Sequence, residues 1–293
     1  MKINWKKEFS SMRTYQKALS ELFGTFLITG QIATIVTMLD AGVATLTDVA
    51  FMLFLSLTVI IYCFAPISGP HLNPSATVMY LAFGEITLPL AIVYIVSQIA
   101  GGILGAGMSY LLIPESWKEA TRGKSYLGGT TVNENFTVFQ AFMAETMVTG
   151  FFIFVVWATL LKKHKYNVFG GWAAGAVLGI AIYLLGPITG VGMNPARCFG
   201  PAVIMGEFPS DHWLFWVAPT LGAFIGGGLY KFIFYEFDVE YKEVQEVPEK
   251  LKQDNNDRSA ISLQANAEDR READEEQNPN REENNSQAEV EGQ

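Results

Sequence analysis

The stretch Pro66-Ile-Ser-Gly-Pro-His-Leu-Asn-Pro-Ser75 decides the fold, because it returns as Pro187-Ile-Thr-Gly-Val-Gly-Met-Asn-Pro-Ala196 at a constant offset of 121. Further upstream, Glu21-x-x-x-Thr25 recurs as Glu145-x-x-x-Thr149 at an offset of 124. Self-similarity on this scale marks a duplicated unit. Within each copy, Asn followed by Pro is a helix start: the Asn side chain caps, and Pro has no amide proton to leave unpaired at the first helical position. Only a short apolar stretch follows each box, 76–83 and 198–205, about half the length that crosses a bilayer as a helix.

Working outward, six apolar runs lie near 18–39, 49–65, 87–112, 138–161, 170–187 and 213–234, each long enough to span roughly 30 Å of hydrocarbon. Three spans per copy is an odd number, so the two halves sit in opposite orientations. Inverted repeats of this kind place a shared site at the bilayer midplane, built from discontinuous helices. Irregular backbone at that depth survives only where it is buried in protein or lines a water-filled cavity. Two half-helices are therefore expected to enter from opposite faces and meet at Asn73 and Asn194; the plainer alternative is a pair of re-entrant loops that only pack. Gly recurs four apart at Gly101 and Gly105, at Gly171, Gly175 and Gly179, and at Gly222 and Gly226, a spacing that brings helix backbones close in lipid.

Composition agrees with a membrane protein. The 293 residues are 50% hydrophobic and 17% charged, against about 25% charged in soluble proteins. Residues 1–235 carry 13 Lys+Arg and 11 Asp+Glu, whereas 236–293 carry 7 and 18, so the acidic balance belongs to the tail. Nothing resembles a phosphate-neutralising basic patch, which argues against a nucleic-acid partner. Two Cys, both in apolar segments (Cys63 and Cys198), and three His are too few for a disulfide framework or a zinc site. No nucleophile, base or metal cluster suggests an enzyme, and no cofactor is expected. The first 17 residues are polar, so the first span rather than a cleavable leader is expected to direct membrane insertion.

The Lys/Arg distribution sets orientation. Lys2, Lys6, Lys7, Arg13 and Lys17, then Lys162, Lys163 and Lys165, then Lys231 face Lys118, Arg122 and Lys124 across the membrane. The positive-inside rule puts both termini in the cytoplasm of a multi-pass protein of the plasma membrane or an internal membrane. Asn135-Phe-Thr137 is then an extracellular glycosylation pattern hard against the fourth span, and Asn284-Asn-Ser286 is cytosolic. The expected organisation is a cytoplasmic arm 1–17, a channel domain 18–235 with halves 18–112 and 138–234, and a disordered acidic tail 236–293. Phosphorylation at Ser259 or Ser262, or contact between the tail and the basic loop 162–165, is the sharper idea for that tail. His164 in this loop reads as a pH sensor or as a solvated residue. His212, with Trp213 and Trp216, reads as interfacial.

Ser68-Gly-x-His71-Leu-Asn73-Pro-Ser75 and Gly190-x-Gly192-Met-Asn194-Pro-Ala-Arg197, taken with the two Glu and their spacing, resemble the aquaporin (major intrinsic protein) family over roughly residues 15–235. The resemblance implies an all-α membrane protein, a right-handed bundle of six transmembrane helices plus two half-helices, working as a passive channel in a homotetramer. The first box departs from the family pattern as Asn73-Pro74-Ser75, whereas the second, Asn194-Pro195-Ala196, keeps it. The asparagine amides would donate to passing water while the positive half-helix ends repel cations, and carbonyls at 69–72 and 190–193 would accept. By resemblance, Glu21 and Glu145 hold the loops; the rival reading couples protons to transport. His71, Gly190 and Gly192 line the pore or support these loops, and for His71 a purely packing role stays open.

The same resemblance assigns the narrow filter to Leu53, Ile182, Val191 and Arg197. Water-selective members usually carry an aromatic ring and a His there, so this set is less polar and favours small neutral solutes. Ala202 and the pair Phe215-Trp216 resemble the water branch instead, and Cys198 is similar to the X-type intrinsic proteins. The expectation is a channel for water, with glycerol, urea or hydrogen peroxide as further candidate permeants and protons and ions excluded. The alternatives are a solute facilitator with poor water permeability and an ion-coupled carrier.

Overall fold

A computed structural model of the chain describes residues 11–160 and 167–234. Nine helices of two turns or more follow one another among the described residues: α1 Met12–Asp40, α2 Leu46–Ser68, α3 Pro74–Ala82, α4 Leu88–Leu112, α5 Glu115–Thr121, α6 Val138–Leu160, α7 Gly170–Thr189, α8 Pro195–Met205 and α9 Leu214–Leu229. A wider turn, Tyr230–Phe234, extends α9. Six of them, α1, α2, α4, α6, α7 and extended α9, are long and apolar enough to cross a membrane. Helices α1 to α9 belong to one compact unit. The arm lysines Lys2, Lys6 and Lys7, the loop residues Lys162, Lys163, His164 and Lys165, and the tail with Ser259 and Ser262 lie outside the described residues.

Local chemistry explains where the helices begin. Thr45 caps α2 through a reciprocal box with Asp48: Asp48 N donates to Thr45 Oγ1 at 3.2 Å, and Thr45 N to Asp48 Oδ2 at 2.8 Å. Thr137 and Gln140 form a similar pair at the start of α6. Asn73 and Asn194 cap α3 and α8, each with Pro at the first helical position. Both α2 and α7 stop at a glycine in the left-handed region, Gly69 at φ 65° and Gly190 at φ 74°.

Two boundaries differ from the sequence reading. Helix α1 starts at Met12 rather than near 18, because Arg13, Gln16 and Lys17 end the apolar run without opposing helix. The connection 113–137 contains α5, opened by Pro114 with Glu115 in its first turn. Its lack of an apolar run hid it.

Packing follows the duplication. Helix α1 lies chiefly on α4, α6 on α9, and α2 on α7; each short helix lies against the last span of the other half, α8 on α4 and α3 on α9. Glycines make these contacts possible. A Cβ on Gly101 or Gly105 would strike the backbone carbonyl of Leu22 or Phe26 in α1, and one on Gly222 or Gly226 that of Thr146 or Gly150 in α6. Gly101, Gly105, Gly222 and Gly226 are thus where paired backbones approach, and Gly175 likewise meets the Phe54 carbonyl, whereas Gly171 faces the Tyr62 ring. The His212 ring stands 5.3 Å from Phe208 and 6.4 Å from Phe199.

Gly226→Val should abolish the α6–α9 approach, since no rotamer relieves a clash with backbone, at a cost of about 1–3 kcal/mol or more. Gly186→Ala, whose Cβ would sit 3.4 Å from Leu46 Cδ1, should be tolerated. Size-exclusion profiles of detergent-solubilised protein check both, with loss of the monodisperse peak expected for the valine variant alone.

Candidate functional site

The site is built where the two boxes meet. Asn73 Oδ1 accepts from Ser75 N at 2.9 Å, capping its own helix, while its Nδ2 donates across to Met193 O at 2.8 Å. Asn194 mirrors it: Oδ1 accepts from Ala196 N at 3.0 Å and Arg197 N at 3.4 Å, and Nδ2 donates to Leu72 O at 2.6 Å. Each asparagine therefore caps one half-helix and ties down the other half's loop. This refines the expectation that both amide donors stay free. One Nδ2 hydrogen of each is taken by the clasp, and an amide has a second to offer.

The loops feeding these caps run through left-handed backbone, with Leu72 at φ 49°, Val191 at φ 65° and Met193 at φ 54°. Non-glycine residues there carry a strain of about 1–3 kcal/mol each and persist only where the surroundings hold them. Two wholly buried carboxylates supply that hold. Glu21 accepts from His71 N at 3.0 Å and Leu72 N at 2.7 Å, and from Gln98 Nε2 at 2.7 Å. Glu145 accepts from Gly192 N at 2.7 Å, Met193 N at 2.8 Å and Thr189 Oγ1 at 2.6 Å. The repeat is reproduced donor for donor on the backbone; only the third, side-chain donor differs.

A cavity of about 130 Å³ runs through this junction, room for several waters. Its lining includes His71, Leu57, Phe152 and Leu178, the box residues Asn73 and Asn194, the filter candidates Leu53, Ile182, Val191 and Arg197, and Leu39, Leu46 and Gly186. Gly190 and Gly192 also line it. Arg197 is 3% exposed; its Nη2 donates to Gly190 O at 3.0 Å, while Nε and Nη1 have no protein partner. Unpaired donors of a buried cation beside a cavity are poised for a ligand's oxygen. The carbonyls of Leu72, Gly190 and Met193 accept protein bonds at one lone pair, which leaves a second for the cavity.

Pro74, Ser75, Pro195 and Ala196 are buried and do not border the cavity. Ser75 explains its own departure: its hydroxyl pairs with Thr220 Oγ1 on α9 at 2.9 Å, and Thr220 in turn donates to Trp216 O at 2.7 Å. Sequence reasoning missed this pair, and it missed Gln98 and Thr77, joined at 2.9 Å beside Glu21. Gln98 stands in the middle of an apolar run, a signal that could have found it. His71 bonds Thr77 through Nδ1 at 3.1 Å while bordering the cavity, so packing and lining coexist there.

The family model described as major intrinsic protein matches residues 8–230. The chain belongs to the major intrinsic protein family. Aquaporin-4 of Homo sapiens is 40% identical over 190 residues, 64% of this chain; the chain spans only 56% of the length of the aquaporin-4 relatives it matches. Aquaporin NIP1-1 of Arabidopsis thaliana is 30% identical over 75% of this chain and 74% of its own. Aquaporin-5 of Sus scrofa is 30% identical over 81% and 88%. The solved aquaglyceroporin from Plasmodium falciparum shares the fold, with a TM-score of 0.61 at 21% identity over 77% of this chain and 98% of that one. Family membership and six apolar helices make this member a multi-pass integral membrane protein.

Glu145→Gln should leave at least one of three buried donors facing an amide NH₂. That costs about 1–3 kcal/mol, read as a lower Tm of the solubilised protein. An unchanged Tm would show that the carboxylate is dispensable to the loop.

Proposed function

We propose that the chain is a passive transmembrane channel for water that also passes small uncharged solutes such as glycerol, urea or hydrogen peroxide. The observation that carries this reading is the cavity passing between two opposed helix N-termini, each capped by an asparagine that borders it. An oxygen at that point meets an amide hydrogen of Asn73 and of Asn194 together with the positive ends of both half-helices. A water accepting from both sides cannot hand a proton along the file, and a cation meets positive potential twice, at the asparagines and again at Arg197. The relatives named aquaporins support water as a permeant. Nothing in this mechanism is covalent, and Glu21 and Glu145 act as acceptors for loop amides rather than as proton carriers, because their oxygens are committed to donors.

A second reading, a facilitator with poor water permeability, has one observation in its favour. Leu53, Ile182 and Val191, which line the same cavity as Arg197, carry no hydrogen-bonding side chain, which suits a carbon skeleton with few polar groups better than a water column. We place both termini in the cytoplasm by the Lys/Arg distribution, and a homotetramer follows the family habit. By sequence the acidic tail and the basic loop 162–165 carry opposite charge, which suits the idea that the tail meets the loop.

Stopped-flow light scattering on proteoliposomes decides between these readings. The expected result is osmotic water permeability above that of protein-free vesicles, with solute flux linear in concentration and indifferent to an ion gradient. Solute flux without any rise in water permeability would select the facilitator, and saturating, gradient-dependent flux a carrier. Ile182→His should lower glycerol flux relative to water, because it narrows the wall and adds a donor; an unchanged ratio would remove Ile182 from the filter.

A further inference from the structure

We propose that Asp40 is a positioning residue for Arg197: by holding the linker between the two halves, it fixes the backbone on which that arginine leans. The inference rests on the channel reading above. The linker, 113–137, joins the halves and so has no counterpart within either copy of the repeat. Asp40 ends α1. Its Oδ2 accepts from Thr121 Oγ1 at 2.7 Å and from Ser125 Oγ, and its backbone carbonyl accepts from Lys124 Nζ at 2.6 Å. Both hydroxyls pass the hold on to backbone. Thr121 Oγ1 accepts from Leu127 N at 2.9 Å, and Ser125 Oγ from Gly128 N at 3.0 Å. The turn so formed places three successive residues in the left-handed region, Tyr126 at φ 48°, Leu127 at φ 67° and Gly128 at φ 67°. For the two that are not glycine, such backbone persists only where the surroundings hold it. A second carboxylate anchors the linker further along, where Val132 N donates to Asp211 Oδ2 at 2.7 Å.

The strained turn in its place bears on the cavity from outside. A Cβ on Gly128 would stand 3.2 Å from Ile32 O and 3.3 Å from Val36 Cβ, and Ile32 and Val36 both line the cavity. A Cβ on Gly190 would stand 3.1 Å from Gly129 O, and Asn133 N donates to Ile188 O at 2.9 Å. The linker backbone therefore lies directly on Gly190. That glycine carries the carbonyl to which Arg197 Nη2 donates at 3.0 Å, and the other two guanidinium nitrogens find no protein partner among the described residues. Gly129 also reaches α8 about one turn past Arg197, since a Cβ there would be 3.9 Å from Pro201 Cβ. Asp40 itself does not border the cavity. It acts through two hydroxyl relays, the turn they hold and the contact of that turn with Gly190. Released from Asp40, the turn can relax, and Gly190 and Arg197 lose their backing. A guanidinium free to swing aside leaves a wider opening, which favours the larger of two neutral permeants.

The test measures osmotic water and glycerol flux in proteoliposomes for the parent, Asp40→Ala, Asp40→Asn and Ser125→Ala, each with a monodisperse size-exclusion peak and at equal protein per vesicle. Asp40→Ala should raise the glycerol-to-water flux ratio by about two- to tenfold, the range to which loss of one or two hydrogen-bond restraints converts. Asp40→Asn should keep the parent's ratio, because its single amide oxygen can still accept from both hydroxyls. A merely structural role would lower the two fluxes together, through fewer folded channels, and leave the ratio where it was. That result overturns the assignment while the channel reading stands. A shift in Asp40→Asn as large as in Asp40→Ala overturns it too, since charge and not the acceptor would then be responsible. No flux of either kind from the parent overturns the channel reading and the inference together. Should Asp40→Ala lose its fold, Ser125→Ala, which unties Gly128 alone, decides by the same ratio.

Discussion

Four consecutive-pair amides, those of His71 and Leu72 and of Gly192 and Met193, have to be satisfied in the middle of the bundle, where lipid and packed helices offer nothing. Each pair is taken by one buried carboxylate. Without that, the loops could not turn through left-handed backbone at Leu72, Val191 and Met193, and the half-helices could not start where they do. The asparagine clasp then depends on the loops being held, because its acceptors are the carbonyls of Leu72 and Met193. Charge buried in a membrane protein is costly when idle; here its acceptor capacity is filled by backbone and by Gln98 or Thr189.

The duplication provides a frame in which differences become informative. Backbone contacts repeat almost donor for donor, and so do the glycine approaches of α1 on α4 and α6 on α9. Side chains diverge between the two halves. Arg197 stands where the first repeat has Ala76, and Tyr80 stands where the second has Pro201. Ser75 and Thr220 diverge together: a hydroxyl introduced on α3 meets one on α9, while in the other half Ala196 packs its backbone against Gly102. A lone Ser in that slot would bury an unpaired polar group.

Much of this was legible in the chain itself. Spans of about 20 apolar residues, the Asn-Pro starts and the constant offset locate six long helices and two short ones, because each signal reports a local or one-dimensional constraint. The first helix was placed late, since Arg13 and Lys17 mark the edge of the apolar run and not the edge of the helix. Helix α5 went unread for want of a hydrophobic face pattern. The predicted site residues Leu53, Ile182, Val191, Arg197, Asn73 and Asn194 gather round one cavity. What could not be read was pairing across the fold: Ser75 with Thr220, Gln98 with Thr77 and Glu21, and the reciprocal use of each asparagine amide. Those are long-range choices of partner, and a single sequence contains no record of distance.

The asparagine clasp also imposes an order of assembly. Its two cross-bonds join residues 120 and 122 positions apart, so the first half-helix can be capped as soon as it is made, but its loop carbonyl has no partner until the second box has been synthesised and turned inward. During biosynthesis the amino-terminal half must therefore wait in the bilayer with an unclosed seam. The late arrival of Asn194 is the event that joins the two inserted halves across the cavity they share.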